Sequence, residues 1–311
     1  MIVRGQRPVL SLEITRECPL RCPGCYAYDD AHLGGGLLLR QLQDAKGDEL
    51  VARVLAVVDD LKPLHLSLVG GDPLVRYREV ETLLPQLLAR GIFVQLVTSA
   101  FRPIAPEWAA LNNFELVVSV DGLQPEHDLR RAPATYERIQ KNIRGQHVVV
   151  HCTITGQMMK RPGYLEEFIA CWSANSDVKK IWMSVFTPQV GAELPEIPTP
   201  TERVAIMQQL LELRERYPKL DMAKGLIEQL AHPPASPADC IFAQTTTTLS
   251  ADLTTRVSPC QFGGNPDCSR CGCIASLALA AIGDHQLVPG FRVGTLFYAS
   301  LAVGRAMARL N

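Results

Sequence analysis

Cys18, Cys22 and Cys25 fall within eight residues, in the run Glu-Cys-Pro-Leu-Arg-Cys-Pro-Gly-Cys-Tyr. Three thiolates packed this closely can hold three corners of a cubane iron–sulfur cluster and leave the fourth iron without a protein ligand, open to a further molecule. A second set, Cys240, Cys260, Cys268, Cys271 and Cys273, lies toward the C-terminus. Ten cysteines could also frame disulfides, but eight of them sit in these two sets at short spacings, which favours metal. Cys152 and Cys171 stand apart and read as small buried hydrophobes. Five thiolates compete for four sites in the second set. Cys260, Cys268 and Cys271 are expected ligands, with Cys240 and Cys273 competing for the remainder, or with one iron left open for substrate. A tetrahedral structural zinc would use the same thiolates, and Cys22-Pro-Gly-Cys25 also has the spacing of a redox dithiol.

The elements that must position these thiolates are legible as alternating β and α patterns. Strands are expected at Val9–Ile14, His65–Val69, Phe93–Thr98, Leu116–Val120, Val148–Thr153 and Lys180–Phe186. Between them, Leu50, Val51, Val54, Leu55, Val58 and Leu61 recur at helical steps, as do Val80, Leu83, Leu84, Leu87 and Leu88. Repeated βα units imply a parallel sheet, either open and doubly wound or a partial barrel, and in both the ligands gather beyond the C-terminal strand ends. The trio follows the first strand, Gly70-Gly71-Asp72-Pro73 the second, Thr98-Ser99-Ala100 the third and Asp121-Gly122 the fourth, so four loops should meet at one mouth. A Pro-rich connection spans 187–200, Thr201 is the expected N-cap of the next helix, and Pro233-Pro234-Ala235-Ser236-Pro237 precedes the cysteine-rich tail. Within that tail a small hairpin is expected to turn near Ala251-Asp252. The last apolar stretch, Leu296–Met307, should dock as a helix.

The trio's spacing and its place after the first strand resemble the cluster-binding loop of the radical S-adenosylmethionine (radical SAM) enzymes. Gly70-Gly71-Asp72-Pro73 is similar to that family's Gly-Gly-Glu-Pro segment, which receives the cofactor's methionine ammonium, with Asp72 in place of the usual glutamate. Ser119-Val120-Asp121-Gly122 with Arg131 resembles the fourth-strand exit of the subfamily carrying SPASM or Twitch auxiliary-cluster domains, where serine and arginine hold the methionine carboxylate or ribose. An Arg fork matches a carboxylate. The family's aromatic before the third cysteine is replaced by Gly24, with Tyr26 the nearest aromatic. Thr98, at the third strand's end, joins these as a cofactor contact. The resemblance implies a partial (β/α)6 TIM-like barrel over 1–190, a linker with bridging helices over 191–232, and a SPASM/Twitch-like cysteine-rich domain over 233–311. It also implies a [4Fe–4S] cluster with an open iron, S-adenosylmethionine cleaved to a 5′-deoxyadenosyl radical, and a second, auxiliary [4Fe–4S] cluster. The external electron donor would be of flavodoxin or ferredoxin type. No catalytic side chain is assigned beyond the cluster; His151 and Cys152 are candidates for the substrate's surroundings.

Composition narrows the partners. Lys and Arg number 31 against 32 Asp and Glu, a formal charge of −1, so no global basic field argues for nucleic acid. The first eight residues lack a signal-peptide core and no run reaches the roughly 18 apolar residues of a membrane span, which points to a soluble cytoplasmic protein, and the clusters that the resemblance implies would make it oxygen-sensitive. The subfamily often modifies ribosomally made peptides, making a peptide the expected substrate. The first strand begins at Val9, leaving no room for an N-terminal peptide-recognition domain, so a small metabolite or lipid intermediate is the alternative. A non-catalytic iron–sulfur or zinc protein remains a further class.

Overall fold

The computed structural model describes residues 7–133 and 136–308; most of the N-terminal octapeptide lies outside them. Six parallel strands, β1 (Val9–Glu13), β2 (His65–Val69), β3 (Phe93–Thr98), β4 (Phe114–Ser119), β5 (Val148–Ile154) and β6 (Val178–Val185), stand in sequence order. A seventh, β7 (Thr246–Leu249), pairs parallel with β1, Val9 opposite Thr246 through Leu12 opposite Leu249. The order is β6-β5-β4-β3-β2-β1-β7, an open sheet of partial TIM-like type.

Helices α1 (Gly47–Leu61), α2 (Tyr77–Ala89), α3 (Glu126–Arg130), α4 (Tyr136–Asn142), α5 (Gly156–Met159) and α6 (Tyr164–Ala174) fill the crossovers except the one from β3 to β4, which carries only a short 3-10 helix, Pro106–Ala110. Leu50, Val54 and Val58 of α1 pack with Leu10, Leu12 and Ile14, all 1 % exposed or less. Each such side chain is worth about 1.5–3 kcal/mol on leaving water. The alternate strand residues face the other way. That inner face is polar, carrying Ser11, Glu13, Ser67, Gln95, Ser119, His151 and Ser184. A sheet with helices on one face and a polar inner face suits a chamber rather than a second packed layer.

Beyond β6 come α7 (Pro200–Arg216), α8 (Lys224–Glu228), α9 (Ile241–Thr245), α10 (Ile274–Asp284), a hairpin of β8 (Gln286–Val288) and β9 (Phe291–Arg292), and α11 (Val293–Ala308). The α7 cap is Thr199 rather than Thr201. Thr199 Oγ1 accepts from Glu202 N–H and Glu202 reaches back to Thr199 N–H, a capping box with Pro200 at the first helical position. The expected tail hairpin is only half formed. Its first arm is β7, drawn onto β1, while Leu249 bridges Arg256 around a turn in which Ser250 N–H meets Thr255 O. An open sheet edge at β1 recruits this arm because unpaired backbone groups there would otherwise lack partners. In the C-terminal helix Leu296, Val303 and Met307 share an exposed side, while Leu301 is buried and the Tyr298 hydroxyl donates to Asp239 O (3.0 Å). Among the described residues no helix is long and apolar enough to cross a membrane.

Candidate functional site

The loop after β1 is held by the loop after β2. Gly71 N–H donates to Thr15 O (2.8 Å) and Asp72 N–H to Glu17 O (2.9 Å). The backbones touch: a Cβ on Gly71 would stand 2.1 Å from Glu17 O, and one on Gly70, at φ +135°, 2.7 Å from Thr15 O. These glycines therefore serve loop-on-loop packing. Arg76 adds charge to the junction, bonding Glu17 (3.0 Å) and the buried Asp44 (2.7 Å). On this base stand Cys18, Cys22 and Cys25, each half-buried, with Leu20 N–H turned onto Cys18 Sγ at 3.4 Å. Burial pushes all three thiols up, Cys18 to about 12.

Asp72 behaves differently from the expected ammonium acceptor. Its carboxylate takes Leu74 N–H (3.0 Å), Thr98 Oγ1–H (2.7 Å), Ser99 N–H (2.9 Å) and Ser99 Oγ–H (2.6 Å), while only 2 % of the residue is exposed. Four donors fill a carboxylate's acceptor positions. The Thr98 hydroxyl is spent on the same contact and on Ala100 N–H. A glutamate would extend past this cage; the shorter aspartate is enclosed by it.

At the β4 exit, Asp121 is a clamp. It receives Arg131 Nε (2.8 Å), Arg130 Nε (3.2 Å) and Thr153 N–H (3.0 Å). Burial pushes its carboxyl up, but Arg131 and Arg130 outweigh that and hold it well below the usual range. Arg131 is thereby aimed at the trio, close enough to Cys22 and Cys25 to act against the burial of their thiols. Its two terminal nitrogens make no hydrogen bond to the described residues, which leaves a guanidinium fork open. His127, fully buried, accepts Asp121 N–H at Nδ1 (3.2 Å). Ser119 ends β4 on the inner face, opposite His151.

Gly24, at φ +65°, lies beneath an aromatic ring after all: Phe186, at the β6 exit, comes within 2.9 Å of where its Cβ would be. Nothing local signals this partner, 162 positions away. Tyr26 turns toward the other cysteine set. Its ring meets Phe262 edge-on (centroids 5.4 Å) and His32 at a tilt (5.7 Å), and burial together with Glu13, Cys25, Cys273 and Cys260 raises its hydroxyl.

All five C-terminal cysteines line one cavity, walled also by Phe242, Phe262 and Pro237. Cys260, Cys240, Cys268 and Cys271 act on one another electrostatically, and burial raises Cys260 to about 12 and Cys268 to about 11. Cys273 takes Gln261 Nε2–H at 3.1 Å, and Cys240 Sγ lies 3.2 Å from Ser276 Oγ. Among the described residues no three His, Cys, Asp or Glu groups are gathered as a single metal ion requires. A cubane binds each thiolate at a separate iron and needs no such convergence.

This cavity is fastened to the barrel mouth. Val185 N–H donates to Gly272 O (2.9 Å), laying Cys271-Gly272-Cys273 on the end of β6. Gln189 spans Gly263 O and Asn265 N–H. His32 contacts two acceptors, Glu13 Oε1 (2.7 Å) and Phe262 O (3.0 Å), a pairing that only the imidazolium satisfies at both nitrogens. Burial opposes the charge, but Glu13 outweighs it and raises His32. No local pattern announces the His32–Glu13 pair, because it joins a loop to a strand 19 positions earlier and to Phe262 far down the chain.

Known proteins resemble this one in sequence and in fold. The chain is 31 % identical over 119 residues to the PqqA peptide cyclase of Rhizobium meliloti (strain 1021), covering 37 % of this chain and 29 % of the cyclase. Streptococcus suis SuiB bound to S-adenosylmethionine superposes with a TM-score of 0.56 at 16 % identity, over 79 % of this chain and 59 % of SuiB. Native anSMEcpe with bound AdoMet gives 0.58 at 16 % identity, over 87 % of this chain and 80 % of that one. The chain thus spans under a third of the cyclase and about three-fifths of SuiB, and the two structures speak for the fold. The profile of the Radical SAM superfamily matches residues 12–167, half of the 311, from β1 through the trio, the glycine loop and Arg131 into α6, and the chain belongs to that superfamily.

Proposed function

We propose that this chain holds a [4Fe–4S] cluster on Cys18, Cys22 and Cys25, binds S-adenosylmethionine at its open iron, and functionalises a C–H bond of a peptide substrate. The observation that carries this is the set of three half-buried thiols at one strand exit, faced by a guanidinium whose terminal nitrogens make no hydrogen bond among the described residues. The donor set fits the group: three sulfurs from one loop leave one iron corner open. When bound, the reduced cluster supplies the electron that breaks the S–C5′ bond of S-adenosylmethionine and so delivers a 5′-deoxyadenosyl radical as hydrogen acceptor.

The chain's own residues bind and orient. Arg131, fixed through Nε by Asp121, offers its fork to the methionine carboxylate, and Ser119 its hydroxyl to the carboxylate or ribose. Backbone at Gly70-Gly71 borders the ammonium, with Asp72 and Thr98 supporting that loop from behind. Phe186 over Gly24 and Tyr26 beside Phe262 wall the chamber against water.

We assign the C-terminal cavity to a second [4Fe–4S] cluster, held by four of Cys240, Cys260, Cys268, Cys271 and Cys273, in a SPASM/Twitch-like region, 233–311, that follows the six barrel strands of 1–190 and the 191–232 connection and adds β7 to their sheet. Its all-sulfur donors and apolar walls support this. An external one-electron donor of flavodoxin or ferredoxin type would serve both clusters in the cytoplasm. The peptide reading is supported by the likeness to a peptide cyclase and to SuiB bound to its precursor peptide SuiA, which covers 97 % of this chain. Anaerobic purification followed by iron, sulfide and zinc analysis tests the assignment. About eight irons per chain are expected, falling to about four in Cys268→Ala. About four irons with one zinc in the wild type would overturn the second cluster.

A further inference from the structure

One inner-face side chain has no part in the site above. On β5, Val148, Val150, Cys152 and Ile154 are fully buried toward the helices, so His151 and Thr153 face the chamber. Thr153 N–H meets Asp121 at the strand's end. His151 sits one pleat deeper, about 6.6 Å further in, below the level of the cofactor-facing Asp121–Arg131 pair.

Its Nε2 lies 2.8 Å from Ser184 Oγ, and Ser184 Oγ also receives Ile274 N–H at 3.2 Å. Ser184 is 7 % exposed and has no other partner among the described residues. Its own hydroxyl proton therefore has one acceptor, His151 Nε2. That nitrogen carries no proton, and in the neutral ring the proton sits on Nδ1. Burial keeps the ring neutral, pushing it down to about 4; Asp121 pulls the other way, and Arg131 acts with burial. Nδ1 has no hydrogen-bond partner among the described residues, although His151 is only half-buried.

We propose that His151 is a substrate-positioning residue whose Nδ1–H, fixed by Ser184, donates to an amide carbonyl of the peptide held inside the barrel. The inference rests on the peptide reading above, and its tautomer can be tested without it. In protein carrying 13C,15N-histidine, the His151 ring resonances, assigned by their loss in His151→Asn, should report the Nδ1–H tautomer. Ser184→Ala should convert them to a tautomer mixture. An Nε2–H or cationic ring at pH 7 overturns the proposal.

Recognition is read with a pool of synthetic N-acetylated, C-amidated peptides passed over immobilised, cluster-loaded protein with S-adenosylmethionine present. His151→Gln, which lacks a donor at the Nδ1 position, should retain roughly fivefold less peptide, one neutral hydrogen bond's worth. His151→Asn, whose Nδ2–H stands near the place of Nδ1–H, should retain within twofold of the wild type. Equal retention by His151→Gln and wild type, or equal failure of both variants, overturns the role. A wild type that retains no peptide while binding S-adenosylmethionine overturns the peptide reading and the proposed acceptor together, whereas the ring resonances alone decide the donor.

Discussion

Gly71→Ala tests whether the trio's position depends on close contact between two loops. The added Cβ would meet Glu17 O at 2.1 Å and Glu17 C at 2.4 Å, where ordinary contact begins at 3.4 Å, so Glu17 must retreat by about 1.3 Å. That retreat stretches the bonds from Gly71 N–H to Thr15 O and from Asp72 N–H to Glu17 O beyond useful length. Overpacking costs about 1–3 kcal/mol and each lost bond about 0.5–1.5 kcal/mol, together about 2–6 kcal/mol. Urea unfolding of the metal-free chain, followed by circular dichroism, measures the loss. Gly225→Ala in α8 is the internal control: nothing lies within 4 Å of its Cβ, and alanine there should gain up to about 1 kcal/mol. Because Cys18 follows Glu17 directly, iron retained after reconstitution should fall in Gly71→Ala and hold in Gly225→Ala. A Gly71→Ala protein that unfolds at the wild-type urea concentration and loads the same iron refutes the reasoning.

Asp72→Asn sets an amide NH2 among four donors and should cost about 1–3 kcal/mol in urea unfolding, while the affinity for S-adenosylmethionine, measured by equilibrium dialysis, changes less than about threefold. A tenfold loss of affinity at unchanged stability would show the carboxylate touching the ligand instead. His127 is held down to about 4, by burial first and by Arg131, against about 6.5 in the unfolded chain. Its folded value is depressed, so the stability it contributes is complete above about pH 6.5 and lost as pH falls toward 4. Between pH 7 and pH 5 the wild type should lose about 2 kcal/mol more than His127→Asn; parallel pH profiles in urea would contradict this.

Much of the barrel is legible in the chain because strand and helix periods are local. All six barrel strands stand within two residues of where the alternation puts them, and the apolar stripe of α1 is the buried one. What escaped is decided by distant contacts. Thr246–Leu249 reads as a hairpin arm, and its transfer to β1 depends on an open edge that no local pattern announces. Thr199-Pro200-Thr201-Glu202 does carry its capping box in the sequence, but two threonines flank Pro200 and either can serve as an N-cap by type alone. At the site, residue types and strand-end placement were legible, whereas hydrogen-bond commitments were not. Asp72 looks available until Thr98 and Ser99 close around it, Gly24 looks bare until Phe186 arrives from β6, and Asp121 looks like a turn until two arginines converge on it. A shared cavity for five cysteines likewise requires β6, Gln189 and His32 to bring the tail to the mouth.

The central claim is that the trio opens one iron to S-adenosylmethionine. Anaerobic protein loaded with iron and sulfide, reduced with dithionite in the presence of S-adenosylmethionine, should release 5′-deoxyadenosine and methionine in equal amounts. Cys22→Ala should release none, while Cys268→Ala should keep a substantial part. A fully loaded, reduced wild-type protein that leaves S-adenosylmethionine intact would contradict the account.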